Sequence, residues 1–161
     1  MVLALAIVPA IAQNGSSASL PDATPCPNQI ADIATCYSAK LATGAYLLTA
    51  MPKNWNGNLI VFAHGGPGPM PPRASYSMGS LARYSVEVKR GFAWIASSYR
   101  YLGYGVQQSA DDTEDARKFF VEHLGKPKRT IVHGASYGGL VGAKLIEKYG
   151  ANYDGAFFNI Q

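Results

Sequence analysis

Gly134, Ala135, Ser136, Tyr137 and Gly138 spell G-x-S-x-G, a spacing that can present a serine hydroxyl as a nucleophile. The pentapeptide follows the apolar run Arg129 to His133 and precedes a helical stretch, Tyr137 to Tyr149, that ends at Gly150. A serine on such a strand-to-helix turn is forced into a sparsely populated backbone conformation, and its hydroxyl stands clear of the sheet. Side chains larger than hydrogen at 134 and 138 would collide with neighbouring backbone. The helix N-terminus beneath the serine favours developing negative charge. Gly138, Gly139 and Gly142 would let that helix lie close to the sheet. Alone, the pentapeptide equally describes an ordinary serine cap.

A second motif makes the first specific. His64-Gly65-Gly66-Pro67-Gly68 directly follows the apolar run Asn58 to Ala63. Attack on a carbonyl creates an oxyanion, and rigid backbone N–H groups stabilise it without reorganising. One donor would be the N–H of Tyr137, just after the nucleophile. The other would come from the glycine turn at Gly65 and Gly66, where the backbone can approach substrate closely. A glycine turn after a strand is common, but both motifs in this order, about 70 residues apart with two strand–helix units between them, are not.

Positioning these turns requires a regular scaffold. Ala45 to Ala50 and Asn58 to Ala63 are strand-like, and the intervening Asn56-Gly57 predicts an antiparallel hairpin between them. Helix patterns follow at 80–90, at 109–124 with a Ser109 cap, and at 137–149; strand patterns fall at 92–97, 129–133 and 154–158. The alternation predicts an α/β fold: a mainly parallel sheet with helices on both faces and an N-terminal antiparallel hairpin.

With both motifs and the order of elements in place, residues 45–161 resemble the N-terminal half of an α/β-hydrolase domain. The HGGPG form resembles the branch containing proline iminopeptidases and related esterases. The resemblance implies Ser136 as nucleophile and Gly66 with Tyr137, beside Gly65, as the oxyanion hole. It implies that strands 58–63, 92–97, 129–133 and 154–158 are the third to sixth of the family sheet. It also implies a triad acid and histidine later in sequence than Ser136. After Ser136 the chain offers Glu147, Asp154 and no histidine. His64, His123 and His133 all precede the serine and read as structural, so the chain reads as truncated and inactive alone. Tyr99, Tyr101 and Tyr104, with Arg100, follow the fourth family strand and are candidate walls of the substrate pocket.

Composition bounds the rest. The 161 residues are 48% hydrophobic and 15% charged, enough for one buried core. A net charge of +4 is spread along the chain without a basic run, which argues against nucleic acid. Residues 1–12, MVLALAIVPAIA, are too short and too interrupted by Pro9 to span a membrane; they read as a signal peptide although no Lys or Arg precedes them. Segment 13–44 holds Cys26 and Cys36, whose even count and spacing favour a disulfide in an exported protein, two free thiols being the alternative. The expectation is a secreted or periplasmic serine hydrolase of small-molecule esters working through an acyl-enzyme, with no metal or organic cofactor. The alternatives are a proline iminopeptidase-like aminopeptidase acting on short peptides, and a non-catalytic homologue or a lyase on the same scaffold.

Overall fold

The computed structural model describes residues 21–66, 71–101 and 103–159. The signal-peptide reading of residues 1–12, together with Pro67 and Gly68 of the glycine turn, lies outside them. Seven strands form one sheet: β1 (Asp22–Thr24), β2 (Ala34–Lys40), β3 (Tyr46–Pro52), β4 (Asn58–Ala63), β5 (Ala93–Ser97), β6 (Arg129–Ala135) and β7 (Gly155–Asn159). The helices are α1 (Met78–Arg83), α2 (Ser85–Lys89), α3 (Val106–His123) and α4 (Tyr137–Tyr149), the last continued by a 3-10 turn at Gly150–Asn152.

The sheet order is β1-β2-β3-β5-β4-β6-β7. Strands β5, β4, β6 and β7 run parallel, and β1, β2 and β3 join them through antiparallel pairs. The fold is therefore the expected α/β type with an antiparallel entry. Alternation along the strands sorts the core onto two faces. Ile60, Phe62, Trp94 and Ala96 meet Leu81 of α1 and Val88 of α2. Leu59, Val61, Ala93 and Ile95 meet Ala116 and Phe120 of α3, while Ala63 and Val132 meet Val141 and Leu145 of α4. Both faces of β4 and β5 are covered, which is why these strands are apolar at successive positions.

Three expectations need correction. The Asn56-Gly57 turn does not close a hairpin between β3 and β4, because β5 lies between them: Leu47 pairs with Ser97 and Leu59 with Ala93. The turn instead bonds to the loops that feed β5 and β6, with Asn56 N–H donating to the Gly91 carbonyl and Lys128 N–H to the Gly57 carbonyl. The antiparallel hairpin is β2–β3, turning at Gly44 with φ +92°. The single helix expected over 80–90 is broken at Tyr84 (φ −99°, ψ 23°), whose ring packs on Phe62 and His133. Finally, α3 starts at Val106 after Gly105; Ser109 is buried within the helix, not at its cap.

Segment 13–44 contributes β1 and β2 to the same sheet. Cys26 and Cys36 are disulfide-bonded with Cα atoms 5.2 Å apart, tying the loop before β2 to a buried position of that strand.

Candidate active site

Strands β4 and β6 are parallel neighbours, with Ala63 opposite Gly134, so the turns that follow them emerge side by side. Ser136 occupies the β6–α4 turn at φ 53°, ψ −122°. A non-glycine residue holds such a conformation only where its surroundings enforce it. Here the Ser136 N–H donates to the Asn159 carbonyl at 2.9 Å, and the Ser136 carbonyl accepts from the Gly139 N–H at 2.9 Å. A Cβ at Gly134 would run into the Gly138 carbonyl, and one at Gly138 into the Ala63 carbonyl. Gly142 leaves room for the Phe158 ring. Gly139 is not required in the same way, since a Cβ there would make ordinary contact with Phe158 at 3.7 Å.

The turn after β4 is held from below. His64 is buried between the rings of Tyr76 and Tyr99, with centroids at 4.7 and 3.8 Å. Its Nδ1–H donates to the Gly65 carbonyl at 2.7 Å. Tyr99 Oη–H donates to the His64 carbonyl at 3.2 Å, and Tyr76 Oη–H to the Gly66 carbonyl at 3.3 Å. Three successive carbonyls are thus each taken by a side chain, which fixes the orientation of the turn. Burial lowers the His64 pKa to about 4 against the opposing pull of its backbone hydrogen bonds, so the ring is neutral near pH 7. A Cβ on Gly65 would lie 3.4 Å from Ser136 Cβ, so this turn abuts the serine.

Ser136 borders two cavities. One, of about 440 Å³, is lined by His64, Gly65, Tyr76 and Ser136 with Gly79, Ser80, Arg83 and Tyr84 around α1, and is floored by Phe62 and Ala135. The other, of about 540 Å³, is lined by Gly66, Ser136, Tyr137 and Tyr104, with Gly139, Leu140 and Phe158. Gly65, Gly66 and Tyr137, the residues expected around Ser136, line the cavities that it borders.

The tyrosines expected as pocket walls divide. Tyr104 is exposed, lines the second cavity and meets Tyr137 edge-on at 5.2 Å. Tyr99 is not a wall of either cavity; its ring is buried beneath the His64 turn at φ 58°. Tyr101 is 62% exposed and borders neither cavity. Arg100 is drawn away to α3, where it pairs with buried Asp112 at 2.6 Å.

His133 and His123 are held by neighbouring side chains. His133 Nδ1–H donates to Glu87 Oε1 at 2.7 Å, and Nε2 lies 3.0 Å from Asn159 Oδ1. His123 stacks on Phe119 along α3. The network of Glu87, His133, Asn159 and Tyr84 was not legible in the sequence, because its members are up to 75 residues apart and carry no local pattern.

No family model matches this chain, and neither does any curated protein. Solved structures do. The chain is similar to the Francisella virulence factor BioJ, at 16% identity and TM-score 0.58, over 84% of this chain and 44% of that one. It is similar to a hormone-sensitive lipase from a metagenome library, at 18% identity and TM-score 0.56, over 80% of this chain and 44% of that one. A cold-adapted esterase from an Arctic intertidal metagenomic library matches at 16% identity and TM-score 0.52, over 78% of this chain and 59% of that one. The chain has an α/β-hydrolase fold. It spans about half the length of these α/β-hydrolase structures, and at these identities the likeness concerns the fold alone.

Proposed function

We propose that Ser136 is the nucleophile of an exported serine hydrolase that cleaves carboxylic esters through an acyl-enzyme. The observation that carries this reading is the enforced conformation of Ser136 between two cavities, with the His64–Gly66 turn against it. In the proposed reaction Ser136 Oγ attacks the ester carbonyl while its proton passes to an imidazole. The N–H groups of Tyr137 and of the Gly65-Gly66 turn stabilise the oxyanion. Collapse of the tetrahedral intermediate breaks the ester C–O bond, and the departing oxygen takes the proton. Water then attacks the acyl-enzyme, returns a proton to Ser136 and releases the acid. The imidazole and its carboxylate partner are assigned to chain beyond the described residues: both ring nitrogens of His133 are engaged by Glu87 and Asn159, and His64, whose Nε2 has no hydrogen-bond partner, is made a weak base by burial.

Ester cleavage is favoured over removal of an N-terminal residue from a peptide. A free α-ammonium calls for a carboxylate, and among the described residues neither cavity has an acidic side chain in its wall. Export is part of the reading because residues 1–12 have the pattern of a signal peptide and the disulfide suits an oxidising compartment. Among the described residues, no helix is long and apolar enough to cross a membrane. The test is hydrolysis of short-chain aryl esters by the full-length protein and its Ser136→Ala variant. A loss of at least about 10³-fold in kcat with the fold intact supports the reading; retention of activity overturns it.

A further inference from the structure

Ser136 joins two peptide planes, and each is gripped by a hydrogen bond from a different part of the fold. The plane before its Cα is held where the Ser136 N–H donates to the Asn159 carbonyl at 2.9 Å. The plane after it is held where the Ser136 carbonyl accepts from the Gly139 N–H of α4, also at 2.9 Å. Peptide units are planar and trans, so this second bond also fixes the direction of the Tyr137 N–H. The twist between the planes is φ 53°, ψ −122°, which a non-glycine residue leaves unless its surroundings hold it. The grip on the first plane is as firm as the Asn159 carbonyl. Asn159 closes β7 opposite Ala135, and its side chain reaches two anchors. Its Oδ1 lies 3.0 Å from His133 Nε2, and its Nδ2 donates to Tyr84 Oη at 3.0 Å. His133 is held on every side. Its Nδ1 is bonded to Glu87 Oε1 at 2.7 Å, its ring stacks on Phe157 at 4.2 Å, and Phe62 and Tyr84 meet it edge-on.

Resting on the assignment of Ser136 as nucleophile, we propose that Asn159 is a positioning residue of the reaction: its side-chain amide, clamped by His133 and Tyr84, fixes the carbonyl that sets the Ser136 backbone and hence the direction of Oγ. Without the clamp the first plane can turn while the second stays with α4. Oγ then swings relative to the Tyr137 N–H, so the attacking atom and the oxyanion donor lose their mutual register. Asn159 lines neither cavity at Ser136, so the walls that bind substrate keep their place. The effect therefore falls on kcat and leaves KM unchanged.

The test is the kinetics of short-chain aryl ester hydrolysis by the full-length protein, with Tm measured for every variant. Asn159→Ala should lower kcat by about ten- to a hundredfold, the scale of a small misplacement of reacting groups, with KM within about twofold of wild type. Asn159→Asp keeps the size and offers an acceptor oxygen to each partner, so it should recover kcat to within about threefold. Asp154→Asn controls for a loosened strand. Asp154 Oδ2 accepts from the Thr130 N–H at 2.7 Å, at the end of β7 away from Ser136, so this variant should keep the wild-type kcat. Where Asn159→Ala does not fold, Tyr84→Phe takes its place: it keeps the ring, removes the acceptor of Asn159 Nδ2, and should show a loss of the same kind. Undiminished kcat in the folded variant, an equal fall in Asp154→Asn, no recovery in Asn159→Asp, or a change carried by KM each overturns the positioning role. A full-rate Asn159→Ala beside wild-type turnover that Ser136→Ala abolishes removes Asn159 alone and leaves the nucleophile standing. Wild-type turnover that is absent, or that Ser136→Ala does not affect, removes both.

Discussion

Ser136 keeps a positive-φ backbone with its N–H held by the Asn159 carbonyl, between Gly134 and Gly138, which leave no room for a Cβ. The expected consequence is that Gly138→Ala cannot be accommodated at the wild-type geometry. It should lower stability by about 1–3 kcal/mol in urea melts or displace the turn, and in either case reduce Ser136-dependent turnover. A variant with unchanged stability and turnover would show that the close approach to Ala63 is not needed. His64 carries a pH prediction. Its pKa falls from 6.5 to about 4 on folding, so between these values the unfolded chain binds a proton that the folded chain excludes. Stability should therefore fall as pH drops through this window, by on the order of 3 kcal/mol in full, and be independent of His64 above about pH 7. Melts at pH 4 and pH 7 on wild type and His64→Gln check this; the same pH slope in both would remove His64 as the cause. At this scale the strand-to-helix turn at Ser136 and the close approaches at Gly134 and Gly138 were legible, since their spacing is local. The sequence offered Tyr99 as a candidate pocket wall because position after a strand does not reveal which way a chain at φ 58° turns.

Elements here are joined by contacts that pattern reading does not anticipate. At the break between α1 and α2, the Tyr84 ring packs on Phe62 and His133. The same histidine ties three elements together, with Glu87 on α2 and Asn159 on β7 at either ring nitrogen. Asn159 in turn holds the Ser136 N–H through its carbonyl and donates from Nδ2 to Tyr84 Oη. His133→Ala should leave the Glu87 carboxylate without its partner in a largely buried setting and cost about 3 kcal/mol or more. Denaturant melts measure this, and a cost below about 1 kcal/mol would mean that water or a rearranged Asn159 replaces the imidazole. Strand periods located β4 to β7; β4 and β5, covered on both faces, are apolar at nearly every position. Pairing partners were less legible. Asn56-Gly57 is a good hairpin signal locally, yet its hydrogen bonds go to Gly91 and Lys128, and β5 takes the place beside β3.

For the molecule as a whole, the parallel strands and both motif turns converge on one end of the sheet, and β7 forms its other edge with Phe157 and Phe158 about 45% exposed. The disulfide acts at the opposite edge, closing a 10-residue separation; its reduction should lower stability by roughly 2–3 kcal/mol, seen as a fall in Tm under reducing agent that Cys26→Ala reproduces. Catalysis is the more demanding test. The serine, Gly65 and Gly66, and both cavities are assembled within the described residues, but His133 has both ring nitrogens bound by Glu87 and Asn159, and burial makes His64 a weak base. A serine hydroxyl without a base is a weak nucleophile, although oxyanion stabilisation and binding alone can retain some catalysis. Residues 13–161 expressed alone should therefore hydrolyse aryl esters barely faster than the Ser136→Ala control. The full-length protein should show turnover that Ser136→Ala abolishes. Equal serine-dependent activity in the shorter chain would refute the assignment of the base to chain beyond it. His64, which lines the same cavity as Ser136, would then be the first histidine to replace, because the other two are set in α3 and against Glu87.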